Sequence, residues 1–264
     1  MSKVLAAKGE DITRRTRMAL ERLSPRLPQK GSKILIKPNV VDARPKDSGA
    51  ITRPEVVEAV IQFLGHRDYQ IYVGEGSAVF DTLRCFEKAG YLYLEQKYDI
   101  KLVDLNRGEF VTIEVNGKYW KGFSVAKIAR EVVYVISAPV LKQHPFQVTL
   151  ALKNMMGVLK PGARCPLKSY IHKEDDQEIW ADRLVDLVFA VRPNLAVIDA
   201  TTGMFGSHLT GRLKEFDLTL VSEDALACDI LAARLLGYEK VFYLDLALKR
   251  GLGTEPTQVE RIFV

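Results

Sequence analysis

Val132-Val133-Tyr134-Val135-Ile136 is a short, β-branched run with no polar alternation. A strand with one wet face alternates, so an unbroken run of this length is expected to be buried on both faces, as in a parallel sheet covered by helices. Lys33 to Lys37, Gln70 to Val73 and Asn194 to Asp199 carry similar short apolar runs. Between them lie stretches of helical periodicity. Asp11 to Leu23 puts Ile12, Ala19, Leu20 and Leu23 on an apolar face, with Arg14, Arg15, Arg17 and Arg22 outward. Val56, Val57, Val60, Ile61 and Leu64 form a second such face, and Leu184, Leu187, Val188 and Val191 a third. The repeated order strand, helix, strand, helix predicts a doubly wound α/β fold, with a mostly parallel sheet and helices on both faces. Phe110 to Trp120 alternates instead and contains Asn116-Gly117, which predicts a small β-hairpin insertion at about 108–122. At 264 residues the chain suits one α/β domain spanning 1–264.

A parallel sheet delivers the residues after its strands to one edge, where open α/β folds bind ligands. In this chain those residues are polar. Lys37 and Asn39 flank Pro38, Glu75 and Ser77 lie in Gly74-Glu75-Gly76-Ser77, and Asp199 and Thr201 open a loop to Gly206 that is expected to turn sharply. After the central run, Pro139 and Pro145 are expected to stop the sheet and leave Lys142 and His144 at its carboxyl edge. Thr149 to Leu159 then reads as a helix capped by Thr149 and ended by Gly157, which brings Lys153 and Asn154 to the same crevice. Each residue has a plain structural explanation: Lys37 as a strand-end cation, Asn39 in a turn, His144 in a loop, Asp199 bonded to the amides of its own turn. Ser222 or Asp224 reads as a helix cap in the same way. Four polar strand ends at one edge nevertheless point to a site.

Lys142-Gln143-His144 followed by Leu152-Lys153-Asn154-Met155-Met156-Gly157-Val158 resembles the hallmark of the domain-of-unknown-function 362 family of bacterial and archaeal proteins. Lys37-Pro38-Asn39, Gly74-Glu75-Gly76-Ser77, Asp199 to Gly206 and Ser222-Glu223-Asp224 with Asp229 extend the likeness over most of the chain. The resemblance implies a family but no shared reaction. Many relatives carry appended ferredoxin-like iron-sulfur segments, which implies a redox partner protein as one kind of partner. This chain departs from that pattern. Cys85, Cys165 and Cys228 are widely separated and one short of a four-thiolate set, so no intrinsic iron-sulfur cluster is expected. Ile51-Thr52-Arg53-Pro54 also resembles the Thr-Arg-Pro loop of nickel-pincer lactate racemases, enzymes of proton and hydride chemistry.

Composition narrows the partners. Hydrophobic residues make up 47% and charged residues 27%, an ordinary globular balance. A net charge of +5 and a pI of about 9.0 favour an anionic small molecule. The basic residues are interleaved with acids and form no block of five, so no specific nucleic acid is expected. Cys85 and Cys228 sit on helix faces that read as buried, which fits inert thiols in a reducing compartment. The first ten residues lack the apolar core of a signal peptide, and no run approaches membrane-spanning length. A cytoplasmic protein with no membrane partner is expected.

The residue types suggest the chemistry. Lys142, His144 and Lys153 are the candidate catalytic residues, because crowded lysines lose proton affinity and histidine shuttles protons near neutrality. Lys37, Asn39, Glu75, Ser77, Asn154 and Asp199 are the candidate substrate-binding residues, with Lys160 and Arg164 as further cations. Glu75 and Asp199 could hold magnesium or act as a general base. A metal site joining His144 to His172 or His208 lacks any paired-ligand spacing, so no metal ligands are assigned. Three readings stay open: an enzyme using Lys/His acid-base chemistry on a carboxylate or phosphate, a redox-associated module with an iron-sulfur partner, and a non-catalytic anion-binding domain.

Overall fold

The computed structural model describes residues 2–79, 81–162 and 176–264. Arg164, Cys165 and His172 lie outside them. In chain order the strands are β1 (Lys3–Lys8), β2 (Lys33–Pro38), β3 (Gln70–Glu75), β4 (Ile100–Asp104), β5 (Phe110–Glu114), β6 (Gly122–Ala126), β7 (Tyr134–Ala138), β8 (Val140–His144), β9 (Gln147–Thr149), β10 (Leu195–Phe205), β11 (Arg212–Ser222) and β12 (Gln258–Phe263). The α-helices are α1 (Ile12–Leu23), α2 (Pro54–Leu64), α3 (Thr82–Ala89), α4 (Tyr93–Lys97), α5 (Ile128–Glu131), α6 (Ala151–Asn154), α7 (Gln177–Ala190), α8 (Ala225–Leu235) and α9 (Phe242–Lys249).

The main sheet runs β12-β1-β11-β10-β7-β2-β3-β4, with β8 and β9 attached beside β10. Along the main path only β11 opposes its neighbours; β10, β7, β2, β3 and β4 are mutually parallel. The strands alternate their side chains between two cores. Leu35 of β2, Val135 of β7 and Ala196 and Ile198 of β10 face α7, α8 and α9. Ile34 and Ile36, Tyr134 and Ile136, and Leu195 and Val197 face α1, α2 and α3. Unalternating apolar sequence is thus the consequence of helices on both sides. The chain leaves β2 toward β3 and β4 but leaves β7 toward β10, so the winding reverses between β2 and β7. Such a switch point opens a crevice at the strands' carboxyl ends.

Several boundaries differ from the sequence expectation. Val132 closes α5, its N–H bonded to Ile128 O, and Val133 is 63% exposed, so the central strand begins at Tyr134. Pro139 does not stop the sheet. A proline lacks a donor but keeps its carbonyl, which accepts from Asp199 N at 2.8 Å while β8 continues alongside β10. Lys142 and His144 therefore stand on a strand. The segment from Ala200 to Phe205 extends β10 with a register shift instead of turning sharply, and pairs with β11. The β1 strand, Lys3–Lys8, gave no sequence signal, because its Ala6-Ala7 pair has weak strand preference. Arg15 is fully buried rather than outward, donating to Gly9 O at 2.6 Å, Thr219 Oγ1 at 3.2 Å and Thr201 Oγ1. The hairpin is formed by β5 and β6, joined by the longer connection 115–121 in place of a two-residue turn.

Candidate functional site at the carboxyl edge of the sheet

Lys37 ends β2 inside the switch-point crevice, and its ammonium has three acceptors: Glu75 Oε1 at 2.6 Å, Asn154 Oδ1 at 3.0 Å and Pro38 O at 3.0 Å. Glu75, ending β3, also accepts from Gly76 N at 2.7 Å and Val40 N at 2.8 Å. Asn154 returns its amide to Lys37 O at 2.8 Å and Ser137 Oγ at 3.1 Å. Every charge in this knot is matched, which is what a buried ion pair requires. Burial still lowers the Lys37 pKa against the pull of Glu75.

The knot floors a cavity of about 160 Å³, below the usual range for drug-sized ligands and suited to a small molecule. Its walls bring together Lys37, Asn39, Glu75, Lys142, His144, Lys153 and Asn154. Lys142 Nζ donates to Ala50 O at 2.6 Å, and Lys153 Nζ lies 3.4 Å from His144 Nε2. Burial pushes both amines down to about 7, and for Lys142 the nearby Lys153, Arg44 and Lys37 add to the effect. His144 Nδ1 accepts from Phe146 N at 3.0 Å, which leaves the proton of a neutral ring on Nε2.

Ser77 and Asp199 do not line this cavity. Ser77 Oγ donates to Val40 O at 2.5 Å and ties down the loop after β2. Asp199 is fully buried, accepting from Arg53 N at 2.9 Å, Thr201 N at 3.0 Å and Thr201 Oγ1 at 2.6 Å. It fastens the Thr52-Arg53-Pro54 entry to α2 and its own strand, as a turn-binding carboxylate would. Glu75 does line the cavity, but its two oxygens are engaged by Lys37 Nζ, Gly76 N and Val40 N. Lys160 sits over the Phe110 ring, 5.5 Å from its centroid, at the hairpin.

The sequence suggests other roles for three further wall residues: His208 as a metal partner of His144, Thr149 as a helix cap and Gly157 as a helix end. His208, from the β10–β11 connection, packs against His144 with ring centroids 4.6 Å apart; burial, Lys142, Lys153 and Arg44 hold its pKa down at about 4, so it is a neutral imidazole at pH 7. Thr149 caps nothing: its hydroxyl is buried and unpartnered at the cavity wall. The amino end of α6 is capped instead from α8, where Asp229 accepts from Ala151 N at 2.7 Å and Leu152 N at 2.8 Å. Gly157 lies in the 3₁₀ turn Met155–Val158, where a Cβ would come within 2.4 Å of Lys37 Cε. It is glycine because the backbone passes over the ion pair.

Nickel chemistry, implied by the likeness of residues 51–54, would need donors other than Arg53, which is buried beside Asp199 with Nη1 3.6 Å from Oδ2. Among the described residues no three His, Cys, Asp or Glu side chains gather as a metal set. The described residues do not by themselves build a nickel centre. They offer two amines and two imidazoles.

Comparisons with known proteins fit this architecture. The lactate racemase apoprotein from Thermoanaerobacterium thermosaccharolyticum superposes with a TM-score of 0.53 at 12% identity, over 88% of this chain and 56% of that one. At that identity the likeness shows the fold alone, and this chain spans little more than half of that protein's length. Thylakoid-associated protein sll1697 from Synechocystis sp. is 29% identical over 237 residues, covering 88% of this chain and 72% of that protein. Among the described residues no helix is long and apolar enough to cross a membrane. The profile of the family described as Domain of unknown function (DUF362) matches residues 34–234, and the chain belongs to that family.

Proposed function

We propose that this protein is a cytoplasmic enzyme that performs Lys/His acid-base chemistry on a small anionic molecule, a carboxylate or phosphate, held in the switch-point cavity. One observation carries the reading: Lys142 and Lys153, both with amines poised near pH 7, meet His144 and His208 around one small cavity. Groups that titrate near the working pH can both take and give a proton at useful rates. The Lys37–Glu75 pair is internally neutral, so the positive charge that favours an anion comes from Lys142. A carboxylate fits the cavity volume, and the fold neighbour is by its title a lactate racemase, whose named substrate is a small carboxylate. Buried free thiols at Cys85 and Cys228 agree with a reducing compartment; cell fractionation distinguishes this location from the thylakoid association named for the relative.

The test is deuterium exchange. Lactate, malate and pyruvate are each incubated with the protein in heavy water, and NMR follows loss of the proton beside the hydroxyl and carboxylate of lactate and malate, and of the methyl protons of pyruvate. Exchange of one of them, lost in Lys142→Ala and His144→Ala variants that keep the native circular dichroism, is the expected result. Binding without exchange would leave the non-catalytic anion-binding reading, which Thr149's unpartnered hydroxyl also favours. The redox-module reading rests on the family resemblance alone.

A further inference from the structure

The lysines of the cavity differ in what their nitrogens touch. Lys37 has an acceptor for each of its three protons. Lys142 donates to the Ala50 carbonyl, a bond that leaves the rest of the group facing the cavity. Lys153 differs from both, because its hydrogen-bond partner is an imidazole nitrogen, His144 Nε2. With His144 Nδ1 occupied by the Phe146 N–H, the proton of the neutral ring lies on Nε2. An N–H facing an ammonium would set donor against donor. The contact is a hydrogen bond when Lys153 offers a lone pair, that is, as a neutral amine.

From this geometry we infer that Lys153 is a nucleophile that condenses with the carbonyl carbon of a small oxo acid, while Lys142 holds the acid's carboxylate. The inference rests on the anion-site reading above and adds a covalent step to it. The Lys153 nitrogen bonds to the carbonyl carbon, and the carbonyl π pair moves to oxygen, which takes the Nε2 proton of His144. The imidazole recovers a proton from the new ammonium centre. Loss of water then forms the carbon–nitrogen double bond: the amine gives up two protons, and the oxygen leaves carrying both. No oxidant or reductant is consumed. Burial lowers the amine to about 7, so a large share of it is unprotonated and nucleophilic at neutral pH. Lys153 also stands on a fixed support, since Asp229 clamps the start of α6 two residues earlier. Thr149 Oγ1 supplies an unpartnered hydroxyl in the same wall for the oxygen of the addition intermediate.

The experiment uses the full chain, with pyruvate as the probe and sodium cyanoborohydride to trap an imine, read by intact mass and peptide mapping. The expected result is one adduct per chain, on Lys153, favoured over any surface lysine by about a hundredfold because surface amines are almost wholly protonated. Lys153→Arg removes the adduct, Lys142→Met raises the pyruvate concentration needed, and His144→Gln slows trapping. Mapping on the unmodified chain needs no variant to fold. Equal labelling of many surface lysines would overturn the inference. So would saturable pyruvate binding, weakened in Lys142→Met, with no adduct; that result would leave the anion site standing. Absence of both binding and adduct, for pyruvate, lactate and phosphate alike, would overturn the site as well.

Discussion

Lys37 and Glu75, ending adjacent parallel strands, form a 2.6 Å ion pair whose side chains are 1% and 3% exposed. Removing one partner strands the other charge without water. Lys37→Met or Glu75→Gln is expected to cost about 3–5 kcal/mol, and a double replacement by apolar residues less than the two losses summed. Urea denaturation of the two single variants and the double variant checks this.

Gly157 is the second structural test of the knot. A methyl group there would lie 2.4 Å from Lys37 Cε and 2.6 Å from its Nζ. Gly157→Ala is expected to cost about 1–3 kcal/mol as an overpacking change, although alanine favours helical backbone. An unchanged denaturation midpoint would refute the close passage of backbone over the pair.

The lowered amines predict the pH dependence of stability. Lys142 falls from 10.5 to about 7 on folding. Between those values the unfolded chain binds more protons, so this group makes stability rise with pH across that window and weakens the fold below it. Lys142→Met is expected to flatten the slope between pH 7 and 10 and to stabilise the protein at pH 6. Binding an anion should restore the proton, seen near pH 8 as proton uptake when calorimetric heats are compared in two buffers.

Asp229 works in the opposite direction. Burial lifts its carboxyl from 3.8 to about 8, outweighing the two backbone amides that hold it down. Its contribution is fully present below about pH 4 and is lost as pH rises through 8. Asp229→Ala leaves the Ala151 and Leu152 amides without this partner, so a loss of about 1–3 kcal/mol at pH 5 is expected, shrinking toward pH 8. Thermal melts across that range measure it.

Thr149 separates a ligand-directed role from a structural one. Its hydroxyl is buried without a partner, so Thr149→Val is expected to change stability by less than about 1 kcal/mol, in either direction. The same change should weaken binding of the small carboxylate several-fold. Equal pyruvate affinity in variant and wild type would remove the hydroxyl from the site.

Much of the architecture was legible before any coordinates. Ile34, Ile36, Val135 and Val197 belong to runs without alternation, and only a strand covered on both faces tolerates that. The helices declared themselves by periodicity, and the cap read at Asp224 accepts from Leu226 N and Ala227 N. Lys37, Glu75, Lys142 and His144, expected at one edge of the sheet, do line one cavity. What local sequence could not reveal was which charges would be used up on arrival. Lys37 and Glu75 look like site residues and neutralise each other; Asp199 looks like a ligand and fastens a loop; Arg15 looks like a surface cation and is buried. His208 lies 64 positions from His144, yet their rings are neighbours. Periodicity and capping depend on residues a few positions apart, so the chain alone determines them. Proton affinity and hydrogen-bond partners depend on burial and on groups from distant strands, and only the folded sheet brings those together.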